Sequence, residues 1–161
     1  ERVKTIGDGY FAIGGVNTPS EGAPLRAIQA SMAMQEYVAF YNRKMGSEHW
    51  SLRIGAHIGP VIAGVIGFQK IAFDVWGDAV NVASRLQSIA KGSGVVISEA
   101  IYDMIRNDVH ADTMGVEELR NLGGQHVLNV SGLKGASKPI DMDAIHNRFA
   151  SGEDFLRKLL T

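Results

Sequence analysis

Apolar and polar positions along this chain repeat with two periods, and the switches between them mark out its elements. Val3 to Ile6 and Tyr10 to Ile13 are short β-prone runs joined by Gly7, Asp8 and Gly9, a hairpin signal with Asp-Gly at its tip. Gly14 to Gly22 reads as a loop, and Pro24 suits the first turn of a helix running to about Met45. Within that helix Ala27, Ser31, Met34, Val38, Tyr41 and Met45 step by four and three, which predicts one long face packed on a sheet. Period two returns at Leu52, Ile54, Ala56 and Ile58, alternating with Arg53, Gly55 and His57, as in a half-buried strand. Gly59 and Pro60 turn it, Val61 to Ile66 reads as a more fully buried strand, and Lys70 to Val75 leads on from there.

The run from Phe73 to Arg85 carries the most information. It reads as a short buried strand, broken by Gly77, then a helix with Asp78 as its N-cap. Ala79, Val82, Ala83 and Leu86 fall at i, i+3, i+4 and i+7, a core-facing stripe, and Asn81, Arg85 and Ser88 lie opposite. Asn81 and Arg85 are four apart, so their side chains converge on one surface spot near a helix start that favours anions. On its own, such a pair is also an ordinary solvated surface.

Beyond it, Val95 to Ile97 reads as a strand and Glu99 to Arg106 as a short helix, followed by a Gly-rich stretch around Gly123. Val127 to Val130 and Ile140 to Ile145 read as closing strands around a loop holding Gly132, Leu133, Lys134 and Gly135, and Phe149 to Leu160 as a terminal helix. Strands and helices in this order point to a mixed α/β fold, one helical layer on a mostly antiparallel sheet.

With 161 residues, 45% hydrophobic and 20% charged, the chain suits one domain and one core. A net charge of −1 gives no global field for nucleic acid or an acidic membrane surface, so phosphate recognition has to be local. With no cysteine there is no disulfide, thiolate nucleophile or zinc–thiolate site, which fits a reducing, cytoplasmic setting. The longest apolar run, Val61 to Phe68, is interrupted by glycines and too short to span a bilayer. No direct membrane contact is expected of this chain, although a larger, membrane-bound parent is compatible with it.

The segment Phe-Asp-Val-Trp-Gly-Asp-Ala-Val-Asn-Val-Ala-Ser-Arg, residues 73–85, closely resembles the signature of the class III nucleotidyl cyclases, the adenylate and guanylate cyclase catalytic domains. Arg2 to Tyr10 resembles that family's first hairpin, in which an aspartate at the turn, here Asp8, holds catalytic metal. Asp before Gly is equally what a tight hairpin wants with no function at all. The resemblance implies that Lys4 and Asp74 contact the purine. Adenine offers an N6 donor and an N1 acceptor, which a carboxylate and an ammonium complement, whereas guanine presents the reverse edge. ATP is therefore the expected substrate.

Leu52 to Val61 resembles the family's central strand pair, where Arg53 corresponds to an arginine on the triphosphate; a solvated sheet-face arginine is roughly as good a reading. Lys134 resembles a late lysine that neutralises the terminal phosphates, with Lys138 as a competing candidate because the spacing through Asn121 to Ser131 departs from the family's. His57 is given no catalytic part, since a lone strand histidine is usually packed or hydrogen-bonded.

The resemblance implies a ferredoxin-like cyclase core, residues 1–147 forming a partial catalytic domain that lacks its first strand and helices, with residues 148–161 a tail. It implies conversion of ATP to 3′,5′-cyclic AMP and pyrophosphate with two Mg²⁺ or Mn²⁺ ions. Asn81 would orient the ribose and Arg85 would stabilise the transition state. It further implies a homodimer with shared sites, Asp8 serving one and Lys4 the other. A second metal-binding aspartate is expected upstream of Glu1, so the chain reads as an incomplete, inactive piece of a cyclase. The rival expectations are a guanylate cyclase and a non-catalytic nucleotide-binding or dimerisation module.

Overall fold

A computed structural model describes residues 1–16, 20–47, 50–67, 71–119, 123–135 and 140–148. The elements run β1 (Arg2–Ile6), β2 (Gly9–Ala12), α1 (Ala23–Met45), β3 (Ile54–Ala56), β4 (Ile62–Ile66), β5 (Ala72–Trp76), α2 (Asp78–Ile89), β6 (Val95–Ser98), α3 (Glu99–Ile105), β7 (Val109–Leu119) and β8 (Gly123–Leu133). A last helix, α4, covers 142–148. The central sheet has the order β3-β6-β8-β7; β3 and β6 are parallel, and the other pairs are antiparallel. β1–β2 and β4–β5 are separate antiparallel hairpins.

β6 shows why the sheet has two covered faces. Val95 and Ile97 point into a cluster with Ile28 of α1, Ile101 and Ile105 of α3, and Leu128 and Val130 of β8. Val96, between them, points the other way onto Val82 and Leu86 of α2 and Val127 of β8. A four-residue run of Val, Val, Ile and Ser is thus buried on both sides, as parallel central strands are. Each fully buried aliphatic of this kind contributes about 1.5–3 kcal/mol, so this seam anchors the domain. The expected mixed fold with a mostly antiparallel sheet is present, and helices cover both faces rather than one.

β3 and α2 meet backbone to backbone. A Cβ added to Gly55 would lie 2.2 Å from both the Ala83 carbonyl oxygen and the Gln87 nitrogen, so only glycine admits α2 at this distance.

Several expectations need correction. The inward face of α1 is Pro24, Ile28 and Ser31, with Leu25 and Met32 packed at its side. Ala27 is exposed and Met34 and Met45 are 41% and 52% exposed. Only the first half of α1 crosses the sheet, and Ser31 tolerates burial because its hydroxyl donates to the Ala27 carbonyl at 2.8 Å. β4 is exposed rather than buried, with Ile62, Val65 and Ile66 at 74%, 65% and 51%, and the buried residues of its hairpin, Asp74 and Val75, lie on β5. Ordered strand geometry at β3 spans three residues rather than Leu52 to Ile58.

Residues 142–148 are helical where a closing strand was expected over Ile140 to Ile145. Asp141 Oδ1 accepts the Ala144 amide at 2.9 Å, an N-cap that the alternation of apolar residues masks. β7 has no counterpart in the periodicity. Its sequence is rich in Asp, Glu and Gly, its register shifts at His110/Ala111 and Thr113/Gly115, and it lies at the sheet edge. Its partner β8 extends well beyond Val127 to Val130. The expected terminal helix and Lys138 lie outside the described residues. Among the described residues no helix is long and apolar enough to cross a membrane.

Candidate active site

Asp74 is the buried carboxylate of β5, 9% exposed, facing β1 across the seam between the hairpins. Its Oδ2 accepts from Lys4 Nζ at 2.7 Å, and its Oδ1 accepts the Val75 amide at 2.8 Å. The Lys4 hydrogen bond, then the Val75 amide, hold the Asp74 carboxyl below its ordinary range, against the opposing effect of burial. Lys4 remains 40% exposed at its side chain, and Asp74 12%. The two residues expected to read a purine edge are therefore already joined, with an ammonium and a carboxylate side by side at a partly open surface.

Three residues later, at Gly77, the chain turns sharply into α2. Gly77 has φ +147°, and a Cβ there would stand 2.9 Å from the Pro60 carbonyl oxygen, so glycine is required both by conformation and by space. Gly77 itself occupies the N-cap position, and Asp78 is the first helical residue rather than the cap. The Asp78 carboxylate complements the positive end of the helix, which offsets the anion attraction expected of that terminus. Beyond it the two faces separate as the spacing requires: Ala79, Val82 and Leu86 are buried, and Asn81, Arg85 and Ser88 are exposed. Asn81 and Arg85 have no side-chain hydrogen bond or ion pair among the described residues, leaving both free to meet a ligand.

The remaining candidates lie elsewhere. Asp8 is exposed in the β1–β2 turn. Arg53 is exposed just before β3, at the end of the sheet where β6 begins, away from the end that meets the start of α2. Lys134 follows β8 at that same end of the sheet. Its Nζ donates to the Arg106 carbonyl at 2.8 Å, closing the C-terminus of α3, and its amide donates to the Asp108 carbonyl at 2.7 Å. Within this chain, Lys4 and Asp74 come together beside the start of α2, and Arg53 and Lys134 do not join them.

Asp8 also bears on metal. Mg²⁺ takes octahedral oxygen ligation, usually from one or two carboxylates plus phosphate and water. Among the described residues no three acidic or histidine side chains cluster to hold an ion. A lone turn carboxylate does not by itself make a two-ion site.

His57 was set aside on sequence grounds, and the structure gives it a partner. Its Nδ1 lies 2.8 Å from the Ser98 hydroxyl, and burial lowers its pKa from the ordinary histidine value. Residues 57 and 98 are too far apart in sequence for any spacing rule to have paired them.

The chain is thus a two-faced α+β sheet flanked by two hairpins, with a carboxylate–ammonium couple leading into a polar helix face. Residues 1–133 match the adenylate and guanylate cyclase catalytic domain. The chain belongs to that family, and Lys134 lies one residue past the matched range. It is 29% identical over 150 residues to an adenylate cyclase of Mycobacterium tuberculosis, covering 93% of this chain and 34% of that one. The chain thus spans about a third of that relative's length. The guanylate cyclase domain of a Catenaria anguillulae protein, solved with GTP, superposes with a TM-score of 0.72 at 27% identity over 83% of this chain and 72% of that one. The catalytic core of a rhodopsin-guanylyl cyclase with converted specificity, solved with ATPαS, superposes at 0.70 with 28% identity over 81% and 71%.

Proposed function

We propose that this chain is the catalytic domain of an adenylate cyclase, forming 3′,5′-cyclic AMP and pyrophosphate from ATP. The observation that carries the choice of base is the 2.7 Å contact between Lys4 and Asp74. Related domains have been solved with GTP and with an ATP analogue. The fold therefore accommodates either purine, and selection falls to local residues. An incoming adenine takes over both partners: its N6 amino group donates to the Asp74 carboxylate, and its N1 accepts from Lys4. Guanine would set its O6 acceptor and N1–H donor against groups that leave one of the pair unmatched, at a cost of about 1–3 kcal/mol per buried unsatisfied group.

Asn81 hydrogen-bonds the ribose and holds its 3′-hydroxyl in line with the α-phosphorus. As the O3′–P bond forms and the bond to pyrophosphate breaks, the Arg85 guanidinium balances charge on the α-phosphoryl oxygens, and the hydroxyl proton passes to water. No step is assigned to His57, whose ring is held by Ser98. The reading includes a second copy of the chain: Asp8 lies in the β1–β2 turn, outside the Lys4–Asp74 ion pair, and the β4–β5 hairpin exposes Ile62, Val65, Phe73 and Trp76, an apolar surface that a partner would cover. In a two-fold dimer Asp8 of one copy serves the nucleotide read by the other.

The test is a double replacement, Lys4→Glu with Asp74→Cys, in the intact protein. The ratio of kcat/KM for ATP to that for GTP should fall by at least about tenfold, the equivalent of one lost hydrogen-bond match. An unchanged ratio would mean that base selection resides elsewhere.

A further inference from the structure

The His57–Ser98 contact is spent where another bond would be ordinary. Ser98 is 2% exposed and precedes the first residue of α3, where a serine hydroxyl normally accepts an amide of the first helical turn. It makes no such cap bond, and the hydroxyl is on His57 Nδ1 instead. The other edge of the His57 ring faces the Gly59 turn. A Cβ built on Gly59 would stand 3.4 Å from His57 Nε2 and 3.0 Å from the Ala79 Cβ, so the ring and the first turn of α2 both lie beside that glycine. Pro60, next in the chain, brings its carbonyl against Gly77, the residue from which α2 springs. One ring nitrogen is thus engaged by Ser98 and the other lies beside the Gly59 turn, and burial favours the neutral ring.

We propose that His57 is a positioning residue: anchored by Ser98, its ring holds the Gly59–Pro60 turn against the start of α2 and so sets where Asn81 and Arg85 stand over a bound nucleotide. From Ser98 at the end of β6 a hydrogen bond leads to His57, and the ring adjoins Gly59, which in turn lies beside Ala79. The role of α2 as the nucleotide-reading face belongs to the cyclase reading, and this inference rests on it for its effect on turnover. The mechanical part, that the pair holds the start of α2, is independent of it.

The test uses His57→Ala, Ser98→Ala, the double variant and His57→Asn, whose amide reaches the position of Nδ1, all in the intact protein. Steady-state kinetics with ATP are read beside hydrogen exchange at the amides of Val80 to Ala83. His57→Ala should lower kcat by about ten- to a hundredfold with KM within about twofold, and speed exchange at those amides. Ser98→Ala should share the loss, the double variant should add little to either single change, and His57→Asn, which keeps the Nδ1 position but lacks the Nε2 edge beside Gly59, should recover part of it. Lys44→Ala, which removes the 3.6 Å pair with Asp143 and the cation over the Phe40 ring, should change neither kcat nor that exchange. If His57→Ala does not fold, Ser98→Ala against His57→Asn carries the same comparison. Unchanged kcat with a lowered thermal midpoint, or losses that multiply in the double variant, would overturn the proposal. If the unaltered protein turns over no nucleotide, the cyclase reading fails, and unchanged exchange at 80–83 in the variants would separately refute the positioning role.

Discussion

Replacing Gly55 by alanine tests the arrangement that carries the helix face. The new methyl carbon would stand 2.2 Å from the Ala83 carbonyl oxygen and the Gln87 nitrogen and 2.8 Å from the Leu86 carbonyl carbon. An ordinary contact needs ~3.5 Å, so the shortfall is about 1 Å. All three obstructing atoms are helix backbone, and no side-chain rotation can relieve them. Either β3 leaves β6 or α2 moves outward. Overpacking a core costs about 1–3 kcal/mol, and a rigid backbone obstacle places this case at about 3 kcal/mol. In a domain of this size that corresponds to a fall in Tm of about 6–12 °C. Denaturant unfolding should show a lower midpoint at an unchanged slope. Gly132→Ala is the control, because a Cβ there meets nothing within 4 Å. A Gly55→Ala protein as stable as the Gly132→Ala control would refute the backbone contact between β3 and α2. Where the variant folds, an α2 displaced by about 1 Å should also lose about a hundredfold in turnover.

Further expectations concern single groups. Arg85→Ala should lower kcat with ATP about a hundredfold or more with little change in KM, and alter stability by less than about 0.5 kcal/mol because the residue is exposed; full activity would refute its charge-balancing role. Lys134→Ala should destabilise by about 0.3–1 kcal/mol through loss of the charge on the C-terminus of α3, and an unchanged urea midpoint would show that the 2.8 Å contact contributes nothing. The His57 pKa is lowered by burial, so the unfolded chain takes up its proton first as pH falls. Stability from this group is complete above about pH 6.5 and is lost as pH falls through the folded-state value, and His57→Asn should flatten that part of the profile in urea titrations.

The parts that were legible in the sequence are those where local chemistry and tertiary contact agree. The Asp8–Gly9 hairpin, the helix beginning near Pro24 and the two faces of α2 each follow from turn preference or spacing, and the structure has all three. The inward face of α1 was offset because Ser31 hides its hydroxyl on its own helix and the second half of the helix meets His146 of α4 through Tyr37, Phe40 and Tyr41. β7 escaped because an edge strand full of acidic residues and bulges has no apolar alternation to read. Burial of β4 was misjudged because a run of Ile, Ala and Val looks the same whether a helix covers it or an open hairpin exposes it. For the site, Lys4 and Asp74 were paired only through family likeness, 70 residues apart, and their 2.7 Å contact is the geometric counterpart. Lys134 was read as a phosphate ligand through family likeness, and nothing local could show that its amine also meets the C-terminus of α3. The His57–Ser98 bond is likewise a product of β3 running parallel to β6, which places Ala56 beside Ile97 and the next residues within reach.

The central claim is that a carboxylate and an ammonium in contact select adenine. The most direct measurement is the turnover of ATP and of GTP, each at subsaturating concentration, by the intact protein supplied with Mg²⁺ or Mn²⁺, with the cyclic product identified. The expected result is cyclic AMP formed with a kcat/KM at least about tenfold above that for cyclic GMP. Preferential formation of cyclic GMP would contradict the reading of Lys4 and Asp74.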